Sequence, residues 1–249
     1  GCLMEGINHE AIGLAGHLKL GRMIVLWDDN KITIDGSVDM SSSEDVLARY
    51  RATGWHTVSC DGHDQADVAR AIDEALADPR PSIVACQTVI GQGAPNKQGT
   101  HNVHGSPLGK DEIAATRAAL TWQHEPFDVP ADVLDGWRKA GQRGSAHSAA
   151  WEQRLAIHGG KAEFERRMAG DLPEGFSLKA YIDSLIAAPQ KVATRKASEM
   201  ALGAINALLP ETMGGSADLT GSNNTKTKAQ APFTADNYGG RYVYYGIRE

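Results

Sequence analysis

Four stretches of this 249-residue chain bring together side chains that could do chemistry. The first couples the glycine-rich opening Gly1 to Gly6 with Asn30, which closes an apolar run. A helix N-terminus holds phosphate through its free N–H groups and its dipole. Magnesium takes six oxygens in tight octahedral geometry, some from protein and the rest from phosphate and water. Asn30 offers a side-chain oxygen and Ile32 a backbone carbonyl on the same side. The set lacks a carboxylate, so these residues also read as a plain turn between strand and helix. The second stretch is Gly99-Thr100-His101-Asn102-Val103-His104-Gly105. Histidines three apart suggest a zinc pair, but only a helix would align them, and the flanking glycines argue for a loop. That leaves a catalytic or substrate-binding histidine, or imidazoles simply exposed on a loop.

The third stretch runs Gly214-Gly215-Ser216-Ala217-Asp218-Leu219-Thr220-Gly221-Ser222-Asn223-Asn224, a strand entering a turn rich in hydroxyls and amides. Such a turn suits phosphate or sugar hydroxyls, and is also what an ordinary turn looks like. Arg195, on the helix before it, could add a guanidinium fork for phosphate or stand as a solvated charge. The fourth is Glu249, after Tyr244-Tyr245-Gly246-Ile247-Arg248. Buried at the end of an apolar strand, its carboxyl would keep its proton; the alternative is a frayed end.

The elements that must position these groups follow from periodicity. Ile7, Ile12, Leu14, Ala15 and Leu18 have helical spacing, and Gly21 stops that helix. Met23 to Trp27 is a continuous apolar run, expected as a strand buried on both faces, and Ile32-Thr33-Ile34 resumes in extended alternation. Ser41-x-x-Glu44 predicts a capping box for a helix to about Thr53. A strand follows over Trp55 to Cys60, an Asp64-capped helix over about Gln65 to Ala77, and a strand over Ser82 to Val89. This alternation predicts a parallel sheet with crossover helices. Gly91 to Gly109 is a long loop with little apolar content, a length that points to function or disorder. From Lys110 to about Pro189 the chain reads as charged, loosely patterned helices broken at Gly144 and Gly159-Gly160. A new unit begins near Lys191, with a helix to Leu209 and strands over Met213 to Ser216 and Tyr242 to Tyr245.

Hydrophobic residues make up 41% and charged residues 22%, ordinary for a globular protein able to form a core. The net charge of −6 and the absence of a Lys/Arg block argue against nucleic acid as a partner. No apolar stretch is long enough to span a membrane. Cys2, Cys60 and Cys86 are odd in number and show no C-x-x-C spacing, so they read as free thiols in a reducing, cytoplasmic setting. The chain opens without an initiator methionine and closes after a strand-like run; both ends read as cut through structured elements, as in an internal fragment.

Taken in order, the four stretches resemble the bacterial-type transketolase family over essentially the whole chain. Gly1-Cys-Leu-Met-Glu-Gly6 resembles the end of the family's Gly-Asp-Gly thiamine-diphosphate motif, whose Asp would supply the missing magnesium carboxylate. Asp29-Asn30-x-Ile32-x-Ile34-Asp35-Gly36 resembles the far end of that motif. Gly91-x-Gly-x-Pro95-Asn96-Lys97, continuing through Gly99-Thr-His-x-x-His104 to Gly109, is similar to the family's active-site loop. Ser216-Ala-Asp-Leu with Ser222-Asn223 is similar to the pyrimidine-domain entry, and Tyr245-Gly-Ile-Arg-Glu249 to the start of the catalytic-glutamate motif. Gly221 stands where proline is common in the family, and Gln87 where many relatives carry Lys.

The resemblance implies a thiamine-diphosphate-binding α/β fold. Residues 1–120 would be the C-terminal part of the diphosphate- and magnesium-binding domain, 121–190 a helical linker, and 191–249 the N-terminal part of the pyrimidine-binding domain. It implies ketol transfer between sugar phosphates through a thiamine-diphosphate carbanion, as in the pentose phosphate pathway and the Calvin cycle, by a homodimer with cofactor at the subunit interface. Gly1, Asn30, Ile34, Ile90, His104 and Glu249 would contact the cofactor, Asn30 and Ile32 the magnesium or calcium ion. Glu249 and His104 would be catalytic; His104, Arg195 and Ser222 would hold substrate; Glu5 and Asp218 would lie near the interface. A formaldehyde-using dihydroxyacetone synthase and a non-catalytic relative keeping the fold are the alternatives. The 249-residue chain alone is expected to be inactive.

Overall fold

The structure, a computed structural model, describes residues 1–248; Glu249 lies outside the described residues. The chain forms two compact units, Gly1–Pro126 and Phe127–Glu249. Among the described residues no helix is long and apolar enough to cross a membrane.

In the first unit β1 (Ile24–Asp29), β2 (His56–Asp61) and β3 (Ser82–Gln87) lie parallel in the order β1-β3-β2. They alternate with α1 (Gly6–His17), α2 (Val46–Ala52) and α3 (Gln65–Ala77), the arrangement expected from the sequence. Side chains leave a strand on alternate faces, so each face of the sheet carries its own cluster. On one, Ile83 packs with Ile12 and Ala15 of α1, Val46 and Tyr50 of α2, and Trp55. Tyr50 and Trp55 meet edge to face at 5.1 Å, and the Trp55 indole donates to the Ile12 carbonyl at 2.8 Å. α1 crosses the end of α2 so closely that a Cβ on Gly16 would sit 1.8 Å from the Thr53 carbonyl oxygen. On the other face Val58, Cys60 and Val84 meet Ala71 and Ala75. These alanines stand one turn apart and are wholly buried, letting α3 lie close on β2 and β3. Burying Ile83 and Val84 completely contributes about 1.5–3 kcal/mol each.

Three expectations are corrected here. β1 is not buried on both faces within this chain: it stands at the end of the described sheet, Ile24 reaches the α3 cluster, and Leu26 is 56% exposed. The cap of α2 is Asp45, whose carboxylate accepts the Ala48 N–H at 2.8 Å, rather than Ser41 with Glu44. A charged acceptor gains more than a hydroxyl from the helix dipole. Ile32–Ile34 is not a strand: Ile32 alone bridges Ser37, across a reversal in which the Thr33 hydroxyl accepts the Asp35 and Gly36 N–H groups.

Also in the first unit, α4 (Lys110–Ala119) follows the long loop. The second unit opens with α5 (Ala131–Gln142), α6 (Ser145–Ile157), α7 (Lys161–Ala169) and α8 (Lys179–Ala187). α6 and α7 meet through Trp151 and Phe164, 5.9 Å apart, and Gly170 ends α7 in the left-handed region. α9 (Thr194–Leu208) leads to β4 (Gly214–Ser216), the single turn α10 (Thr220–Asn223) and β5 (Tyr242–Tyr244). β4 and β5 pair in parallel, with Gly214 opposite Tyr242. Around this pair the buried side chains are largely polar: Asn206, Ser216, Thr227 and Gln230 beside Tyr242 and Val243.

Candidate active site

In an open parallel sheet ligands bind beyond the carboxyl ends of the strands, where helices and loops diverge. At that edge of the first unit, β1 runs out through Asp28 and Asp29 into Asn30. The Asn30 amide donates to the Asp28 carboxylate at 3.1 Å and accepts the Ile32 N–H at 3.0 Å. Lys31 between them is held at φ 61°, in the left-handed region, while its ammonium pairs with buried Asp29 at 2.7 Å. Ile32 and Ser37 face each other between two backbone bonds, Thr33 N–H to Gly36 and Val38 N–H to Lys31. The Ile32 carbonyl therefore takes no part in the ladder.

β3 brings Thr88 to the same edge, where its hydroxyl bonds the second oxygen of Asp28. His63, just after β2, accepts the Val89 N–H on Nε2 at 2.7 Å. The exits of all three strands are thus tied together. The sequence reading named Asn30 and Ile90 but missed Asp28, His63 and Thr88, which organise the ground between them. The signal available was position: each stands within three residues of the end of an expected strand.

The Gly91–Gly109 loop, expected to be functional or disordered, is ordered by hydrogen bonds in place of apolar packing. Gly99 donates to the Ile90 carbonyl at 2.8 Å, and Lys97 reaches the Leu108 carbonyl at 2.8 Å. Buried Glu112 of α4 accepts both the Asn96 backbone N–H, at 2.9 Å, and its side-chain amide, at 2.8 Å. Gly91, at φ 66°, lies against Val103: a Cβ there would come within 2.8 Å of the valine side chain. This closure folds the tight turn His101–Val103 back beside Ile90, with His101 and His104 both exposed at its ends.

The structure thus links Asn30, Ile32, Ile90 and the His104 loop through named contacts. Ile34 is 67% exposed beyond the Ile32 bridge. Gly1 and Glu5 flank the turn before α1; both are exposed, and among the described residues neither hydrogen-bonds to Asn30. In the second unit Ser222 lies exposed on α10, and Asp218, at φ 60°, turns the chain into it. Arg195 is exposed in the first turn of α9 and shares no hydrogen bond with Ser222 among the described residues. Glu249 lies outside the described residues.

The donors at the strand edge are hard oxygens, an amide and a backbone carbonyl, which suit magnesium or calcium completed by phosphate and water. Among the described residues no three His, Cys, Asp or Glu side chains cluster as a self-sufficient metal site. Burial, with Cys60 and Asp28 nearby, pushes the Cys86 thiol up to about 11, so it stays protonated and offers no thiolate. These residues fit a cation that arrives with a phosphate-bearing cofactor.

Comparison with known proteins decides the family. Residues 1–173 match the family model described as "Transketolase, thiamine diphosphate binding domain", and residues 190–249 match "Transketolase, pyrimidine binding domain". The chain belongs to the transketolase family. It is 55% identical to a transketolase of Cereibacter sphaeroides and 53% identical to one of Rhodobacter capsulatus, with all of this chain and 38% of each relative covered. Among solved structures, a transketolase of Pichia stipitis in complex with sedoheptulose 7-phosphate superposes with a TM-score of 0.89 at 41% identity. A transketolase from Leishmania mexicana superposes at 0.87 and 37% identity. Each alignment covers this whole chain and 38% of the solved one. The fold is the thiamine-diphosphate-binding α/β fold of transketolases, and the chain spans 38% of the length of the relatives it matches.

Proposed function

We propose that this chain is the cofactor- and phosphate-holding part of a transketolase that moves a two-carbon ketol unit from a ketose phosphate to an aldose phosphate. The donors would be xylulose 5-phosphate or sedoheptulose 7-phosphate, the acceptors ribose 5-phosphate or glyceraldehyde 3-phosphate. One observation carries the reading: Asn30, Ile32, Ile90 and the His104 loop share the carboxyl edge of a parallel sheet, tied by Asp28, Thr88 and His63.

When bound, thiamine diphosphate supplies the electron sink for breaking and making the carbon–carbon bond. Asn30 and the Ile32 carbonyl would hold magnesium or calcium with the diphosphate, near Gly1. Ile34 and Ile90 would pack on the apolar part of the cofactor and exclude water. Glu249 would hold its proton against a cofactor ring nitrogen, and exposed His104 would move protons at the substrate hydroxyls. Arg195 and Ser222 would hold the sugar phosphate. We assign residues 1–120, 121–190 and 191–249 to diphosphate domain, linker and pyrimidine domain. We place Glu5 and Asp218 near the interface of a cytoplasmic homodimer, with cofactor between the subunits. The 249-residue chain on its own is expected to be inactive.

The test is to express the full reading frame encoding this chain and assay xylulose 5-phosphate cleavage, with and without thiamine diphosphate and magnesium. Transfer to ribose 5-phosphate that needs both and is lost in Glu249→Ala supports the reading. Preference for formaldehyde as acceptor, or no turnover by a folded, cofactor-binding dimer, would overturn it.

A further inference from the structure

The turn that carries Ser222 is too short to hold itself. α10 is a single helical turn, and nucleating so short a helix costs more than its few bonds return. It closes with Asn224 in the left-handed region at φ 55°. What fixes it lies outside: Tyr242, in β5, has no exposed surface, and its hydroxyl reaches Thr220 Oγ1 at 2.8 Å and Thr225 Oγ1 at 2.6 Å. Thr220 opens the turn and Thr225 follows it, so one phenol spans both ends of the segment holding Ser222. A phenol donates one proton and accepts at the same oxygen, so a single hydroxyl satisfies both threonines. The ring is seated opposite Gly214, where an added Cβ would stand 3.7 Å from it and 3.3 Å from the Gln230 amide.

We propose that Tyr242 is a positioning residue for the phosphate end of the substrate, clamping the 220–225 turn so that Ser222 meets the phosphoryl oxygens. This rests on the reading of Ser222 given above. Tyr242 then sets how strongly the enzyme prefers phosphorylated over unphosphorylated sugars, without touching either.

The experiment compares the full-length enzyme with its Ser222→Ala, Tyr242→Phe and Tyr242→Phe/Ser222→Ala variants. Each is assayed with xylulose 5-phosphate and with unphosphorylated xylulose as donor. Losing two part-buried hydrogen bonds that order the turn should raise KM for the phosphorylated donor about 3- to 10-fold. The loss should fall on that KM rather than on kcat, with KM for xylulose changed less than about twofold. The double variant should be no worse than Ser222→Ala alone, because both changes act through one contact. If Ser222→Ala raises the phosphorylated KM but Tyr242→Phe does not, the clamp is overturned and the Ser222 reading survives. Equal losses with both donors make Tyr242 merely structural and also overturn it. If Ser222→Ala leaves the preference unchanged, the phosphate reading fails and takes the proposal with it. Should Tyr242→Phe fail to fold, Thr225→Val removes one arm of the clamp and must shift the same preference in the same direction.

Discussion

In the first unit Ile83 and Val84, both without exposed surface, lie between helices on the two faces of a sheet. In the second, hydrogen bonds join buried Asn206, Thr227 and Gln230 around β4 and β5, and the hydroxyl of buried Tyr242 bonds Thr220 and Thr225. Arg241 completes that network, donating to the carbonyls of Leu209 at 3.0 Å, Asn206 at 3.2 Å and Ala229 at 3.1 Å. The first unit is therefore organised by area removed from water, which tolerates small shifts. The second depends on directional bonds, in which one missing partner strands another. A polar core holds a loop in one geometry, which suits the role proposed for the turn carrying Ser222.

Truncation should break the first unit hardest. Ile83→Ala opens a cavity between α1, α2 and the sheet and should cost about 2–5 kcal/mol. Faster hydrogen exchange across all β3 amides would report it; unchanged exchange would mean that Ile83 is not central to the core. In the second unit the sharper probe keeps the volume and removes the polarity. Gln230 accepts the Thr227 N–H at 3.1 Å and donates to the Arg241 carbonyl at 3.3 Å, so Gln230→Leu strands a buried N–H. We expect a loss of about 1–3 kcal/mol despite the added apolar surface. A neutral or stabilised variant in denaturant unfolding would show that the second core is apolar in effect. Smaller again is Asp45→Ala, which removes the cap of α2 and should cost about 1 kcal/mol, seen as early exchange of the Ala48 amide.

The same contrast explains what could be read from the sequence. The alternation of helices and strands in the first unit is visible because apolar burial leaves a period: Ala71 and Ala75 one helical turn apart, and the Ser82–Ala85 run without a break. The edge position of β1 was not visible, since Met23 to Trp27 is as apolar as a central strand and only the third dimension leaves Leu26 uncovered. Asn30, Ile32 and His104 stood out through their segments, but Asp28, Thr88 and His63 did not. A carboxylate, a hydroxyl and an imidazole at strand ends look like ordinary surface until the strands are laid side by side. The Tyr242 bonds to Thr220 and Thr225 were hidden for the same reason, because Tyr242 lies 17 or more residues along the chain from them in a run that reads only as apolar strand. A hydrogen-bonded core has no periodicity to find.

The Gly91–Gly109 loop lies between these extremes, a polar structure built on the apolar unit, and acid should separate the two. The Asn96 side-chain amide, followed by the Asn96 backbone N–H, holds the Glu112 carboxyl below its ordinary value of 4.5, while burial works the other way. The folded chain therefore binds this proton less readily than the unfolded chain. Its stabilisation is complete above pH 4.5 and is lost as pH falls below that through the lowered folded value. Protection of the Asn96 amide, corrected for the intrinsic exchange rate at each pH, should decline over that acid range. Amides of β3, which owe nothing to Glu112, should hold theirs. Glu112→Gln keeps an oxygen acceptor but has no proton to gain, so its loop protection should be lower at neutral pH and flat with acid. If the wild-type loop and β3 lose protection together, acid is unfolding the unit as a whole. The carboxylate of Glu112 would then have no separate hold on the loop that carries His104.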